Sequence, residues 1–169
     1  MIANINITRQ LIELFELKFN PNIKLSQATR VKKCDELVTE VRLALTDVSN
    51  AAHDDILRRF FHVINATVRT NYYQLDSDGA YKSYVSFKFD CAMIPELPLP
   101  KPHAEIFVHS NRVEGVHLRG GKVARGGLRW SDRKLDFRTE VLGLVKAQMT
   151  KNAVIVPVGS KGGFVVKED

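Results

Sequence analysis

Tyr84-Val85-Ser86-Phe87-Lys88-Phe89-Asp90-Cys91 is where the chain changes its period. Val85, Phe87, Phe89 and Cys91 alternate with Tyr84, Ser86, Lys88 and Asp90, the two-residue rhythm of a strand with one face buried. Before it the rhythm is helical. Thr8 can cap a helix carrying Leu11, Leu14, Phe15 and Leu17, which should stop before Asn20-Pro21. Ser26 can cap a second, with Val31, Cys34, Leu37, Val38, Val41, Leu45 and Val48 on its inner face. Ser49 or Asn50 opens a third, expected to bury Ile56, Leu57, Phe60, Phe61, Ile64 and Val68. After the period changes, Glu105 to His109 and Val113 to Arg119 read as strands. Asp136 precedes a helix with the stripe Phe137, Val141, Leu144, Val145 and Met149, and Val154-Ile155-Val156 reads as a strand covered on both faces, ended by Pro157. The expected fold class is α/β: N-terminal helices followed by a mixed β-sheet with flanking helices.

Four of the six prolines, Pro95, Pro98, Pro100 and Pro102, fall within eight residues and mark a stiff connector. The expected organisation is a helical segment with a first strand over 1–94, the connector over 95–103 and an α/β segment over 104–169. A 169-residue chain with 44% hydrophobic and 26% charged residues can bury a core of its own, which excludes wholesale disorder and fibrous repeats. No apolar run approaches the ~20 residues of a membrane span. Asn4, Asn6 and Arg9 stand where a signal peptide would be apolar, so the expectation is a cytoplasmic protein without membrane partners. Cys34 and Cys91 are isolated from each other and from histidine clusters, so two reduced thiols and no metal site are expected.

The net charge of +6 is uneven: residues 1–94 hold 12 Lys/Arg against 11 Asp/Glu, and residues 95–169 hold 13 against 8. Nine of the ten glycines lie between Gly115 and Gly163. Basic side chains among glycines offer charge and exposed backbone N–H groups together, which suits a carboxylate or phosphate. The spacing excludes a P-loop, because Gly121-Lys122 is followed by Val123 and Val116 stands where the first glycine belongs. Gly-x-Gly-x-x-Gly occurs nowhere, so no cofactor-binding residue can be placed in this chain. A nucleic-acid module would fit the basic balance, but the basic segment has little aromatic interleaving and no recognised reader motif.

Two loops remain: Arg125-Gly126-Gly127-Leu128-Arg129-Trp130-Ser131-Asp132 before the last helix, and Gly159-Ser160-Lys161-Gly162-Gly163 after the last strand. A lysine between glycines can be stripped of water by the closing backbone. Desolvation and the nearby cations Lys151 and Arg125 would then lower the pKa of Lys161 and make it a candidate proton acceptor, against the reading as a solvated turn lysine. Arg112, Arg119, Arg129, Arg133 and Lys134 are read as surface charges or structural pairs, Trp130 as packing, His117 as structural, and Asp132 as a cap or a partner for Arg129.

These residues also carry a resemblance. Val113 to Gly121, Ala124 to Asp132, Gln148-Met149-Thr150-Lys151-Asn152-Ala153 and Pro157 to Gly163 are long ordered matches to the glutamate dehydrogenase family, specifically its large NAD-dependent class. Arg58-Arg59-Phe60 and Arg69-Thr70-Asn71-Tyr72 are similar to that class too, and residues 1 to about 48 match loosely. The resemblance implies part of the substrate-binding domain of an enzyme that oxidatively deaminates L-glutamate to 2-oxoglutarate and ammonia with NAD. It implies a catalytic role for Lys161 and α-carboxylate binding by Lys151 with Gln148. Side-chain carboxylate binding falls to Arg125, where the family carries lysine, just before Gly126 and Gly127. It further implies a homo-oligomeric full-length form, a general-acid aspartate downstream and a separate NAD-binding domain. Neither follows Gly163 before the chain ends at Asp169. The expectation is therefore a fragment that is inactive alone, with a non-catalytic assembly remnant as the alternative.

Overall fold

The computed structural model describes residues 2–151 and 158–167. They form two compact units, Met1–Ala66 and Thr67–Asp169.

The first unit is three helices: α1 (Ile5–Phe19), α2 (Gln27–Thr46) and α3 (Ala51–Ala66). Ile7, Leu11, Leu14, Leu37, Val41, Leu45, Leu57 and Phe61 share one buried cluster, three or four residues apart on each helix. α1 begins three residues before Thr8, because Ile7 extends the Leu11 stripe back by one turn. The Thr8 hydroxyl donates instead to the Asn4 carbonyl at 3.0 Å. Ser26 does cap α2, accepting from the Thr29 N–H at 3.1 Å, and the Asn50 side chain accepts from the His53 N–H at 3.0 Å at the head of α3. The Arg30 guanidinium donates to the carbonyls of Leu17, Asn20 and Ile23, and the Lys18 ammonium to those of Ile64 and Asn65. Carbonyls that helix geometry leaves unpaired at the ends of α1 and α3 are thereby satisfied.

Three apolar residues expected inside stand outside. Val31, Ile56 and Phe60 are each about half exposed, since one position of offset rotates a side chain about 100° around the helix axis. Val68 belongs to no helix. It lies exposed on a strand that sequence periodicity does not reveal.

The second unit is a six-stranded sheet with one helix: β1 (Thr67–Thr70), β2 (Tyr84–Asp90), β3 (Ala104–Ser110), β4 (Val113–Arg119), β5 (Ala124–Trp130), α4 (Phe137–Lys151) and β6 (Val158–Val166). The strand order is β1-β2-β3-β4-β6-β5. All pairings are antiparallel except β5 with β6, which run parallel, so the sheet is mixed as expected. A parallel pair needs a long crossover, and α4 lies in that connection. The proline-rich stretch lies within this unit, between the antiparallel neighbours β2 and β3, and the compact units part at Ala66/Thr67. Local stiffness marks a connector; hydrogen bonds between sequence-distant strands decide what folds together.

Phe137, Val141, Leu142 and Val145 of α4 pack on Val116, Leu118 and Val165 of the sheet. Arg138 forms a paired hydrogen bond with Glu105 on β3, 2.8 and 2.6 Å, fastening the first turn of α4 across the sheet. The expected strand Val154-Ile155-Val156 lies outside the described residues.

Candidate functional site

Both glycine-rich stretches read as loops are strands. Arg125 to Trp130 lies in β5 and Gly159 to Gly163 in β6. Glycine is depleted in strands, so composition argues for a loop; here the missing side chains let backbones close up. A Cβ on Gly126 would sit 1.4 Å from the Ser160 carbonyl oxygen, so no other residue fits there without parting β5 from β6.

The pairing register sorts the side chains by face. Arg125 pairs with Gly159, Gly127 with Lys161, and Lys161 in turn with Leu118 on β4. Leu118 belongs to the core under α4, which places Lys161, Gly127 and Arg125 on the α4 side of the sheet. α4 descends close to β6 there. A Cβ on Gly163 would lie 2.5 Å from Val141, and one on Gly159 2.6 Å from the Gln148 side chain. Lysine between two such glycines, at alternate positions of one strand face, is a signal that strand periodicity could have found.

Lys161, Gly127, Arg125 and Gln148 therefore come together where β5, β6 and the last turns of α4 meet. Gln148 Oε1 is buried and accepts no hydrogen bond among the described residues. Lys161 is half-buried and Arg125 exposed, and neither forms an ion pair among the described residues. A Cβ at Gly127 would meet nothing within 4 Å, so open space lies beside Lys161. Lys151 is the last residue of α4; its side chain lies outside what is described. Arg125 and Lys161 stand diagonally, two residues apart along adjacent parallel strands, so strand rise of about 6.6 Å and strand spacing of about 4.8 Å set their backbones about 8 Å apart. Two cations at that separation can hold one anionic group each, and an unpaired amide oxygen supplies an acceptor.

Other basic residues of the stretch are engaged elsewhere. Arg129 faces Glu140 at 3.6 Å rather than Asp132, Arg133 pairs with Asp136, and Arg119 donates to the Lys122 carbonyl at 2.8 Å. Ser131, not Asp132, is tied to α4, donating to Glu140 at 2.7 Å. Trp130, expected to pack, is 68% exposed, because β5 is an edge strand. His117 pairs with Gly162 on the face opposite Lys161, where burial, assisted by the Arg119 charge, holds its pKa below the usual value. Burial, with Glu105 adding to it, pushes the Cys91 thiol up to about 12, which leaves it unreactive at neutral pH. Among the described residues, no group of acidic, His or Cys side chains could hold a metal ion, and no helix is long and apolar enough to cross a membrane.

A family profile described as the catalytic domain of bacterial NAD-glutamate dehydrogenase matches residues 40–169. The chain is 60% identical over 163 residues to an NAD-specific glutamate dehydrogenase of Pseudomonas aeruginosa, covering 96% of this chain. It is 56% identical over 161 residues to one of Halomonas elongata and 52% identical over 160 residues to one of Mycobacterium tuberculosis, covering 95% and 94% of this chain. The chain spans 10% of the length of each of these relatives. NAD, the coenzyme in their names, would need a glycine-rich strand-to-helix turn, and the one turn from a strand into an α-helix among the described residues of the sheet unit leads from β5 to α4. That turn, Ser131 to Asp136, holds no glycine, and Ser131 and Arg133 there bond to Glu140 and Asp136. These residues do not fit a dinucleotide.

Proposed function

The chain belongs to the bacterial NAD-glutamate dehydrogenase catalytic-domain family, and on that premise we propose that the α4 face of β5 and β6 is the dicarboxylate site for L-glutamate and 2-oxoglutarate. The observation that carries this reading is the convergence of Arg125, Gly127, Lys161 and Gln148 on one face, with open space beside them. Arg125 binds the side-chain carboxylate as a planar fork in place of the family's lysine. Lys151 and the Gln148 amide N–H hold the α-carboxylate end, the unpaired Oε1 being able only to accept. Lys161, as the free amine, takes a proton from the water that adds to the C=N carbon of the 2-imino acid left once the α-hydrogen has gone to NAD as hydride, while the neighbouring cations favour the developing negative charge. Two anchors fix the α-carbon against that amine, so proton transfer proceeds within one bound assembly. No hydride step is assigned to residues of this chain; NAD is held by a region outside it, and the chain alone does not turn over.

The test is titration of the 169-residue chain with 2-oxoglutarate. Saturable binding is expected, weakened about tenfold or more by Arg125→Ala or Lys161→Ala, because a hydrogen bond to a charged group is worth about 1.5–3 kcal/mol. Arg133→Ala, already paired with Asp136, should leave it unchanged. Absence of binding, or equal loss in all three variants, would refute the site. NADH oxidation by the chain with 2-oxoglutarate and ammonium, abolished by Lys161→Ala, would refute its inactivity alone.

A further inference from the structure

A second concave surface lies elsewhere in the sheet unit, where the end of β1, the return into β2 and the end of β3 enclose a hollow of about 360 Å³. That is the size range of small-molecule sites. Its walls are preformed. Asn71 is buried and spends its side chain on the frame: Nδ2 donates to the Tyr84 carbonyl at 3.1 Å, and Oδ1 accepts from the Ser86 N–H at 2.6 Å. The loop between β1 and β2 is closed by a Leu75–Tyr81 bridge and by Asp76, whose carboxylate accepts from the N–H groups of Asp78 and Ala80. His109, on the far wall, accepts from the Lys167 ammonium at 3.0 Å.

Three tyrosines line this hollow and remain largely unburied: Tyr72 at 52% exposure, Tyr81 at 71% and Tyr84 at 44%. Exposed tyrosines offer flat area with little conformational entropy to lose, the property that stacks planar rings. Lys82 lies among them, its ammonium 5.9 Å from the centre of the Tyr84 ring, in no ion pair among the described residues. No carboxylate lines the hollow. Flat aromatic walls with one uncompensated cation match a ligand that has a planar ring at one end and an anionic group at the other.

We propose that this hollow binds a nucleoside monophosphate, the base stacked on the tyrosines and the phosphate paired with Lys82. The site is independent of the dicarboxylate reading and shares no residue with it. Its test is calorimetric titration of the chain with AMP, adenosine and ribose 5-phosphate. AMP should bind saturably and more tightly than either part. Tyr81→Ala and Lys82→Ala should each weaken AMP about tenfold or more, a loss of roughly 1.4 kcal/mol. Lys82→Ala should leave adenosine unchanged. Tyr81 is exposed and Lys82 half-buried, and neither belongs to a core cluster, so neither variant removes core packing. The proposal is overturned if AMP does not saturate by millimolar concentration, if both variants bind AMP like the parent, or if 4-hydroxyphenylacetate binds more tightly than AMP.

Discussion

The two units solve the same packing problem by opposite means. In Met1–Ala66 the elements meet through large apolar side chains repeated at helical spacing, and local bonds close the helix ends. In the sheet unit the closest approaches occur where side chains are missing, at Gly126 on Ser160, Gly159 under Gln148 and Gly163 under Val141. Space left by the glycines brings Lys161, Arg125 and Gln148 to one face. The helical unit concentrates its residues on stability; the sheet unit leaves glycines and, among the described residues, the unpaired cations Arg125 and Lys161 where the dicarboxylate site is proposed.

Breaking the helical side of this contrast should give the largest effect. Leu14 is fully buried, so Leu14→Ala should cost about 2–5 kcal/mol in urea unfolding followed by helical circular dichroism. A cost below about 1 kcal/mol would mean that the stripe does not hold these helices. On the glycine side, neighbours should behave differently. Gly126→Ala must displace the Ser160 backbone and should cost about 1–3 kcal/mol, with β5 amides losing protection from hydrogen exchange. Gly127→Ala meets nothing and should stay within about 0.5 kcal/mol of the parent. If the two variants unfold alike, close approach is not what Gly126 provides.

Acid sharpens the contrast further. His117 has a pKa held below its ordinary value by burial and by Arg119. Between its folded and unfolded pKa values the folded chain binds fewer protons, so this contribution is whole above about pH 6.5 and is lost as pH falls through the depressed value. His117→Gln should flatten that part of the stability profile, and an unchanged slope below pH 6.5 would count against it. The smallest expected effect on stability belongs to Lys161→Ala, within about 0.5 kcal/mol, while its 2-oxoglutarate binding falls. A large loss of stability there would assign Lys161 to the framework instead.

Much of this was legible from residue order. Leu11, Leu14, Leu37, Val41 and Leu57 stand on the buried faces that their spacing requires, as do Phe137, Val141 and Val145 on α4, and Phe89, Val116 and Leu118 on their strands. Ser26 and Asn50 open helices as their side-chain oxygens allow. What escaped was non-local. β1 has four residues, too short for a period to show. β5 and β6 are too rich in glycine to look like strands, and Trp130 is exposed because its register puts it on the sheet face opposite α4, on a strand that no other described strand flanks on its outer side.

The sequence by itself determined the helical stripes, the α/β class, the family and the residue types able to meet a dicarboxylate, because periodicity, capping and motif order are properties of neighbouring residues. The tertiary structure decided which stretches became strands, where the units part and which cations share a face. Those outcomes depend on register between distant segments. A one-residue shift in the β5–β6 pairing would turn Arg125 and Lys161 to opposite sides without changing a letter of the sequence.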